Sequence, residues 1–226
     1  MSPMSRTMTR ARNALIILVS ILVVDQVSKI LVKTNMTLHE SIEIFSWFKI
    51  MFIENNGMAY GMELGSKLAL SLMRFALIAI LVQYIIRELR NNSRWGYVVC
   101  LVMILAGAVG NMIDGMFYGM VFDASTPYTV SSLVAPGQGY SSFLYGKVVD
   151  MLYFPIIDTV LPEWVPFYGG EPYVFFSPVF NIADSSISVA VALLLLFYRK
   201  ECSELSWSRI FGIDEREDKA QKKELK

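Results

Sequence analysis

Four stretches of the 226-residue chain are apolar over almost their whole length. Lipid cannot satisfy a backbone amide, and a helix rising about 1.5 Å per residue needs about 20 apolar residues to cross a bilayer. The pattern predicts such helices over residues 14–32, 68–86, 95–113 and 181–198. The first follows Arg6, Arg10 and Arg12 and resembles a secretory signal, but it continues through Asp25-Gln26-Val27-Ser28-Lys29 without a small-residue cleavage site, so it reads as a retained helix. The second is interrupted mainly by Arg74 and Gln83, the third holds no charge, and the fourth holds only Asp184. Between them, residues 33–66 and 115–178 are not simple linkers. The β-branched and aromatic run from Glu43 to Phe52 predicts a strand or hairpin on the outer leaflet. Residues 115–178, rich in Gly, Pro, Ser and Tyr, predict a small extramembrane subdomain whose elements the pattern does not assign.

Composition agrees with a bilayer. The chain is 54% hydrophobic with a mean hydropathy of +0.47, more than a soluble core of this size requires. Twenty basic and twenty acidic residues give no net charge, so there is no global field to attract nucleic acid. Charge placement orients the helices. Residues 1–12 and the short connection 87–94 each carry three Arg, and Arg199 and Lys200 close the fourth helix. The connections 33–66 and 115–178 hold two and one Lys against four and five acidic residues. Basic residues stay cytoplasmic, so both termini are expected there. The mixed-sign tail after Tyr198 reads as solvated. Cys100 and Cys202 are too few for a disulfide framework and read as buried or membrane-surface thiols.

Polar residues at membrane depth point to function. Asp25 and Lys29, four apart on the first helix, can pair, and Arg74 can snorkel to the interface. Asp184 lies about one turn below the outer face, level with Asn111 and Asp114 at the end of the third helix, while Asp150 belongs to the connection between these helices. Two neighbouring carboxylates cannot both ionise cheaply, so one keeps its proton: an acid and a base that can activate water against an amide. Asparagines such as Asn55, Asn111 and Asn181 can orient a peptide. The residues alone leave this dyad open against a structural network or an ion pathway. The lone His39 has no metal-ligand neighbours, Gly57 and Gly61 lack a phosphate-loop frame, and Ser185 and Ser186 lack an obvious base.

Five segments in register with the four helices resemble the lipoprotein signal peptidase (signal peptidase II) family. They are Asp25-Gln26-Val27-Ser28-Lys29, Asn55-Asn56-Gly57-Met58-Ala59-Tyr60-Gly61, Gly107-Ala108-Val109-Gly110-Asn111-Met112-Ile113-Asp114, Val148-Val149-Asp150 and Phe180-Asn181-Ile182-Ala183-Asp184-Ser185. The resemblance implies an aspartic protease of the bacterial cytoplasmic (inner) membrane that cleaves a prolipoprotein just before its lipid-modified cysteine. Asp150 and Asp184 match the catalytic pair, with Asp123 a weaker match to the first. Asn55, Gly57, Asn111 and Asn181 match the substrate site, and Asp25, Lys29 and Asp114 support it. The expected fold is an all-α membrane protein with four transmembrane helices, a small outer-leaflet β-sheet (a β-cradle) and enlarged extracytoplasmic loops.

Residues 1–200 are expected to form one membrane-embedded peptidase domain, and 201–226 a charged cytoplasmic tail. The expected partners are lipidated prolipoprotein substrates and membrane phospholipid, with no cofactor, no metal, no nucleic acid and a monomeric state. Two departures stand out. Gly115 occupies the place of a family arginine, for which Arg74 and Lys147 are candidate substitutes, and Asp114, Asp150 and Asp184 lie 36 and 34 positions apart, longer spacings than the family norm. The extra length reads as tolerated surface loops, which cost little entropy as they grow. The rival readings are a small ion- or proton-coupled transporter using Asp184 and Asp25, and a membrane scaffold.

Overall fold

The computed structural model describes residues 3–56, 67–205 and 210. Helix α1 spans Pro3–Asn35, strands β1 and β2 span Ser41–Phe45 and Phe48–Asn55, and helices α2 and α3 span Lys67–Arg90 and Trp95–Ile113. Helix α3 runs without a break into a π-helical turn, Asp114–Tyr118, and the short α4, Gly119–Val121. Strands β3 (Val148–Tyr153), β4 (Ile157–Val160), β5 (Pro172–Phe175) and β6 (Val179–Phe180) follow, then α5 (Ile182–Phe197) and α6 (Arg199–Ser203).

The expected helices are present, with adjusted ends. Helix α1 is longer than 14–32 at both ends because Arg6, Arg10 and Arg12 at one end and Lys33 to Asn35 at the other continue the helical hydrogen bonding. Lys33, counted in a connection on sequence, is therefore helical and buried. Among the described residues three helices, Met4–Asn35, Lys67–Arg90 and Trp95–Val121, are long and apolar enough to cross a membrane. The fourth apolar helix has 16 residues, about 24 Å, short of a hydrocarbon core of about 30 Å. Strand β6 takes the residues just before it, and Tyr198, at φ −128°, ends it.

The described residues fall into two compact units. The first comprises 3–23, 70–110 and 183–205, with 210. Its core includes Ala14, Tyr84, Ile85, Leu89, Val98, Leu101, Leu105, Ala190 and Leu194. The buried hydroxyls of Tyr84 and Tyr97 pair with each other at 2.9 Å, leaving neither wet nor orphaned. Large apolar side chains such as Leu15, Val19, Leu72, Leu77, Leu195 and Leu196 face outward, a costly display in water and a neutral one in lipid. Gly107 permits close packing of α3 on α5: a Cβ there would stand 2.3 Å from the carbonyl oxygen of Ala183 and 2.6 Å from Ile187 Cγ1. Gly107→Ala is expected to push these helices apart at the residue before Asp184 and to cost about 1–3 kcal/mol, read as a lowered thermal midpoint in detergent.

The second unit comprises 24–56, 67–69 and 111–182. Its four-stranded antiparallel sheet has the order β1-β2-β3-β6, and β4 and β5 form a separate two-stranded ribbon. The hairpin expected in 43–52 is β1–β2; β3, β4 and β5 occupy the stretch 115–178, whose pattern assigned nothing, and β6 follows it directly. Val32, Met36, Phe52, Tyr118, Phe122, Val149 and Met151 make the core. Gly146 lets the chain pass the π turn: a Cβ there would meet the carbonyl oxygen of Asp114 at 2.3 Å, and its N–H donates to the Gly115 carbonyl at 2.9 Å.

Candidate active site

Strand β3 is buried over its first four residues and carries Asp150 at the centre of the sheet. On one side β2 sets Asn55 opposite Val148 and Ile53 opposite Asp150. Asn55 is thus the diagonal same-face neighbour of Asp150, and its Nδ2 donates to Asp150 Oδ2 at 3.3 Å. On the other side β6 delivers Asn181, whose Nδ2 donates to Asp150 Oδ1 at 2.8 Å, with the Val149 carbonyl at 3.2 Å. The Asp150 carboxyl, 3% exposed, thus meets an amide donor at each oxygen. An amide N–H can only donate, so the two contacts fix the plane of the carboxyl.

The order extends backward through a buried polar network. Asn181 Nδ2 also lies 3.0 Å from Asn111 Oδ1, which accepts from Lys29 Nζ at 2.9 Å. Lys29 completes its three donor directions on Asp25 Oδ2 at 2.9 Å and Asp114 Oδ2 at 2.8 Å. Asp114 accepts from the Val149 N–H at 3.3 Å and from Gln26 Nε2 at 2.9 Å, and Tyr118 donates to Gln26 Oε1 at 3.2 Å. Asp114 opens the π turn, whose wider winding is frequent where a helix must present side chains to a site. Asp25, Lys29, Asp114 and Asn181 are fully buried. The Asp25–Lys29 pair expected from the four-residue spacing is one edge of this network.

The second unit therefore brings together seven of the singled-out residues: Asp25, Lys29, Asn55, Asn111, Asp114, Asp150 and Asn181. Gly57 lies outside the described residues. Asp184 belongs to the first unit, half-buried in the first turn of α5. In that unit Arg74 lies within electrostatic reach of Asp184, and Ser186 donates to the Met103 carbonyl at 2.9 Å. Asp123 is occupied in a turn: its oxygens accept from the Ser132 N–H at 2.8 Å and hydroxyl at 2.9 Å, and the backbone donor foremost holds the carboxyl below the usual range. His39 is exposed at the entry to β1, with φ 71°.

Sequence reasoning missed a second buried cluster one helical turn beyond Lys29. Lys33 Nζ donates to Glu54 Oε1 at 2.5 Å and to Ser125 Oγ at 2.8 Å. Lys147 Nζ reaches Glu54 Oε2 at 3.0 Å. The Lys33 ammonium lies over the rings of Tyr140, Phe122 and Phe52 at 5.1, 5.3 and 5.9 Å, an arrangement that stabilises a desolvated cation. Burial pushes the Tyr140 hydroxyl up to about 12, so it stays protonated and accepts the Lys147 N–H at 2.7 Å. Residues 122–147 are thus bound into the sheet by buried charge rather than draped over it. The spacing Asp25, Lys29, Lys33 was a legible signal, since steps of four put all three on one helix face.

This cluster has a pH signature. Burial raises the Glu54 carboxyl, but the hydrogen bond and charge of Lys33, then Lys147 and Ser125, outweigh it and hold the group below the usual glutamate range. A lowered carboxylate contributes stability that is complete above the unfolded-state value and lost as pH falls through the folded one. Thermal midpoints titrated toward acid should fall across that window in the parent protein, and less steeply in Glu54→Gln.

Comparisons with known proteins agree with the resemblance. The family described as Signal peptidase (SPase) II matches residues 17–199. A lipoprotein signal peptidase of Porphyromonas gingivalis is 48% identical over 190 residues, 84% of each chain, and one of Amoebophilus asiaticus is 38% identical over 77% of this chain and 72% of its own. Two solved bacterial membrane enzymes share the fold, with TM-scores of 0.56 and 0.53 at 22% and 24% identity; the first covers 86% of this chain and 92% of its own. With the family match running from the first apolar helix to the last, the chain belongs to the signal peptidase II family.

Proposed function

We propose that this peptidase is an intramembrane aspartic endopeptidase that removes the signal peptide from diacylglyceryl-modified prolipoproteins, cutting just before the lipidated cysteine. The observation that carries the reading is the buried carboxyl of Asp150, held by an asparagine amide at each oxygen. Asp150 and Asp184 share a proton around one water. One removes the water's proton as it attacks the scissile carbonyl, and the other protonates the leaving nitrogen. Asn55, Asn111, Asn181 and Gly57 line the substrate cleft. Arg74 is the better substitute for the family arginine, since its charge reaches Asp184 while Lys147 is engaged by Glu54.

In this reading the chain lies in the bacterial inner membrane as a monomer with cytoplasmic termini. It crosses four times, with α5 as the short fourth span and the sheet on the outer leaflet. Residues 1–200 act as one peptidase domain and 201–226 as its cytoplasmic tail. Anchoring enzyme and lipidated substrate in one bilayer sets the depth of the scissile bond and removes part of the entropy cost of encounter. Purified protein in vesicles should release a product whose N-terminus is the lipidated cysteine, at least about tenfold faster than from the unlipidated precursor, because lipid binding energy is spent at the reacting bond. Failure to cleave several lipidated precursors, or equal rates with and without lipid, would overturn the proposal.

A further inference from the structure

The β4–β5 ribbon pairs Ile157 with Phe175, Asp158 with Val174, Thr159 with Tyr173 and Val160 with Pro172, and among the described residues no third strand joins it. A two-stranded ribbon by itself is at best marginally stable in water and needs packing against another surface. This one is also apolar. Ile157, Val160 and Phe175 are 49%, 61% and 49% exposed, and at the tip Trp164, Phe167 and Tyr168 are 80%, 98% and 60% exposed. Side chains alternate between the two faces, so Ile157, Phe175, Thr159 and Tyr173 share a face without charge, while Asp158 stands on the other.

Three features say what covers it. Residues 148–198 contain neither Lys nor Arg, while the ribbon and its tip carry Asp158, Glu163 and Glu171; this is no surface for nucleic acid or an acidic peptide. Both roots of the ribbon are tied to the sheet by a run of rings. Phe154 stacks on Phe48 at 4.7 Å and on Phe180 at 5.6 Å, and Phe176 meets Phe180 edge-on at 6.0 Å. Finally, β5 ends seven residues before the apolar helix that begins at Ile182, a tether of at most about 25 Å. A ribbon tethered to an apolar helix has Trp and Tyr within reach of the depth these side chains prefer, the boundary between headgroups and acyl chains.

We propose that the β4–β5 ribbon is a membrane-contacting arm, its uncharged face and its Trp164–Phe167 tip seated among the headgroups and first acyl carbons of bilayer phospholipid. Asp158 on the opposite face stays hydrated. The insertion then anchors the sheet that bears Asp150 at a constant depth.

The test uses the full chain with Trp47→Phe, Trp95→Phe and Trp207→Phe, leaving Trp164 as the only tryptophan. The protein is reconstituted into phosphatidylcholine and phosphatidylglycerol vesicles, with and without bromine near the glycerol end of the acyl chains. Trp164 emission should fall about twofold or more in the brominated vesicles and respond weakly to aqueous iodide. Strong iodide quenching without a bromine effect would overturn the proposal, and so would shielding from both quenchers, which would assign the ribbon to a protein cover. Should the triple variant fail to fold, Phe167→Cys with Cys100→Ala and Cys202→Ala, labelled with a polarity-sensitive fluorophore, supplies the same reading: blue-shifted emission supports the arm, water-like emission overturns it. Neither readout depends on peptidase turnover.

Discussion

Asp150→Asn, turning over a lipidated prolipoprotein in vesicles, is expected to be about 10³- to 10⁴-fold slower than the parent, and Asp184→Asn to lose a similar factor. Asparagine keeps the size of the side chain and can still accept one of the two amide contacts from Asn55 and Asn181. It cannot take a proton from water, and its own NH2 faces an amide donor. The loss should therefore fall on kcat with little change in substrate retention, because the size of the side chain and its packing are preserved. The double variant should be no worse than either single one if the two carboxyls act as a unit. Normal turnover by either variant would remove the dyad from the mechanism, and additive losses would show that the two groups act separately.

Lys29→Met should carry the largest stability cost of any single change in the second unit, about 3–5 kcal/mol. Lys29 contacts both Asp25 and Asp114, and all three side chains are buried. Removing the ammonium strands two carboxylates beside one another, and the network feeding Asn111 and Asn181 loses its first donor. Thermal unfolding in detergent would register the drop. Adding Asp25→Asn to Lys29→Met relieves one stranded charge and should recover part of it. A double variant no more stable than the single one would mean that the lysine acts through packing of its stem and not through charge.

Much of this organisation was legible along the chain, for different physical reasons. Residues 95–113 were read as a helix, and α3 has those bounds, because an uninterrupted apolar run has no competing structure in lipid. The β1–β2 hairpin was legible because its β-branched and aromatic residues stand between turn signals. Strand β3 was not: its buried run Val-Val-Asp-Met-Leu-Tyr has no alternation to detect, being covered on both faces and paired on both edges. Lys33 was misplaced because a lysine near a helix end reads as the start of a loop, and only the distant Glu54, Ser125 and Tyr140 make its burial affordable.

The amino-acid order by itself determined the membrane character, the family and the residue types of the candidate site, since these follow from apolar length and short segments that each carry their own signal. Only the tertiary structure decided which polar groups meet. Asn181 reaches Asp150 because β6 pairs with β3, Asp114 reaches Lys29 because the π turn widens the end of α3, and residues 122–147 close over Lys33. These are long-range contacts, and no local periodicity encodes a partner some 30 to 110 positions away. What selects them is the cost of leaving a buried charge or amide unmatched, a quantity that exists only once the chain has folded.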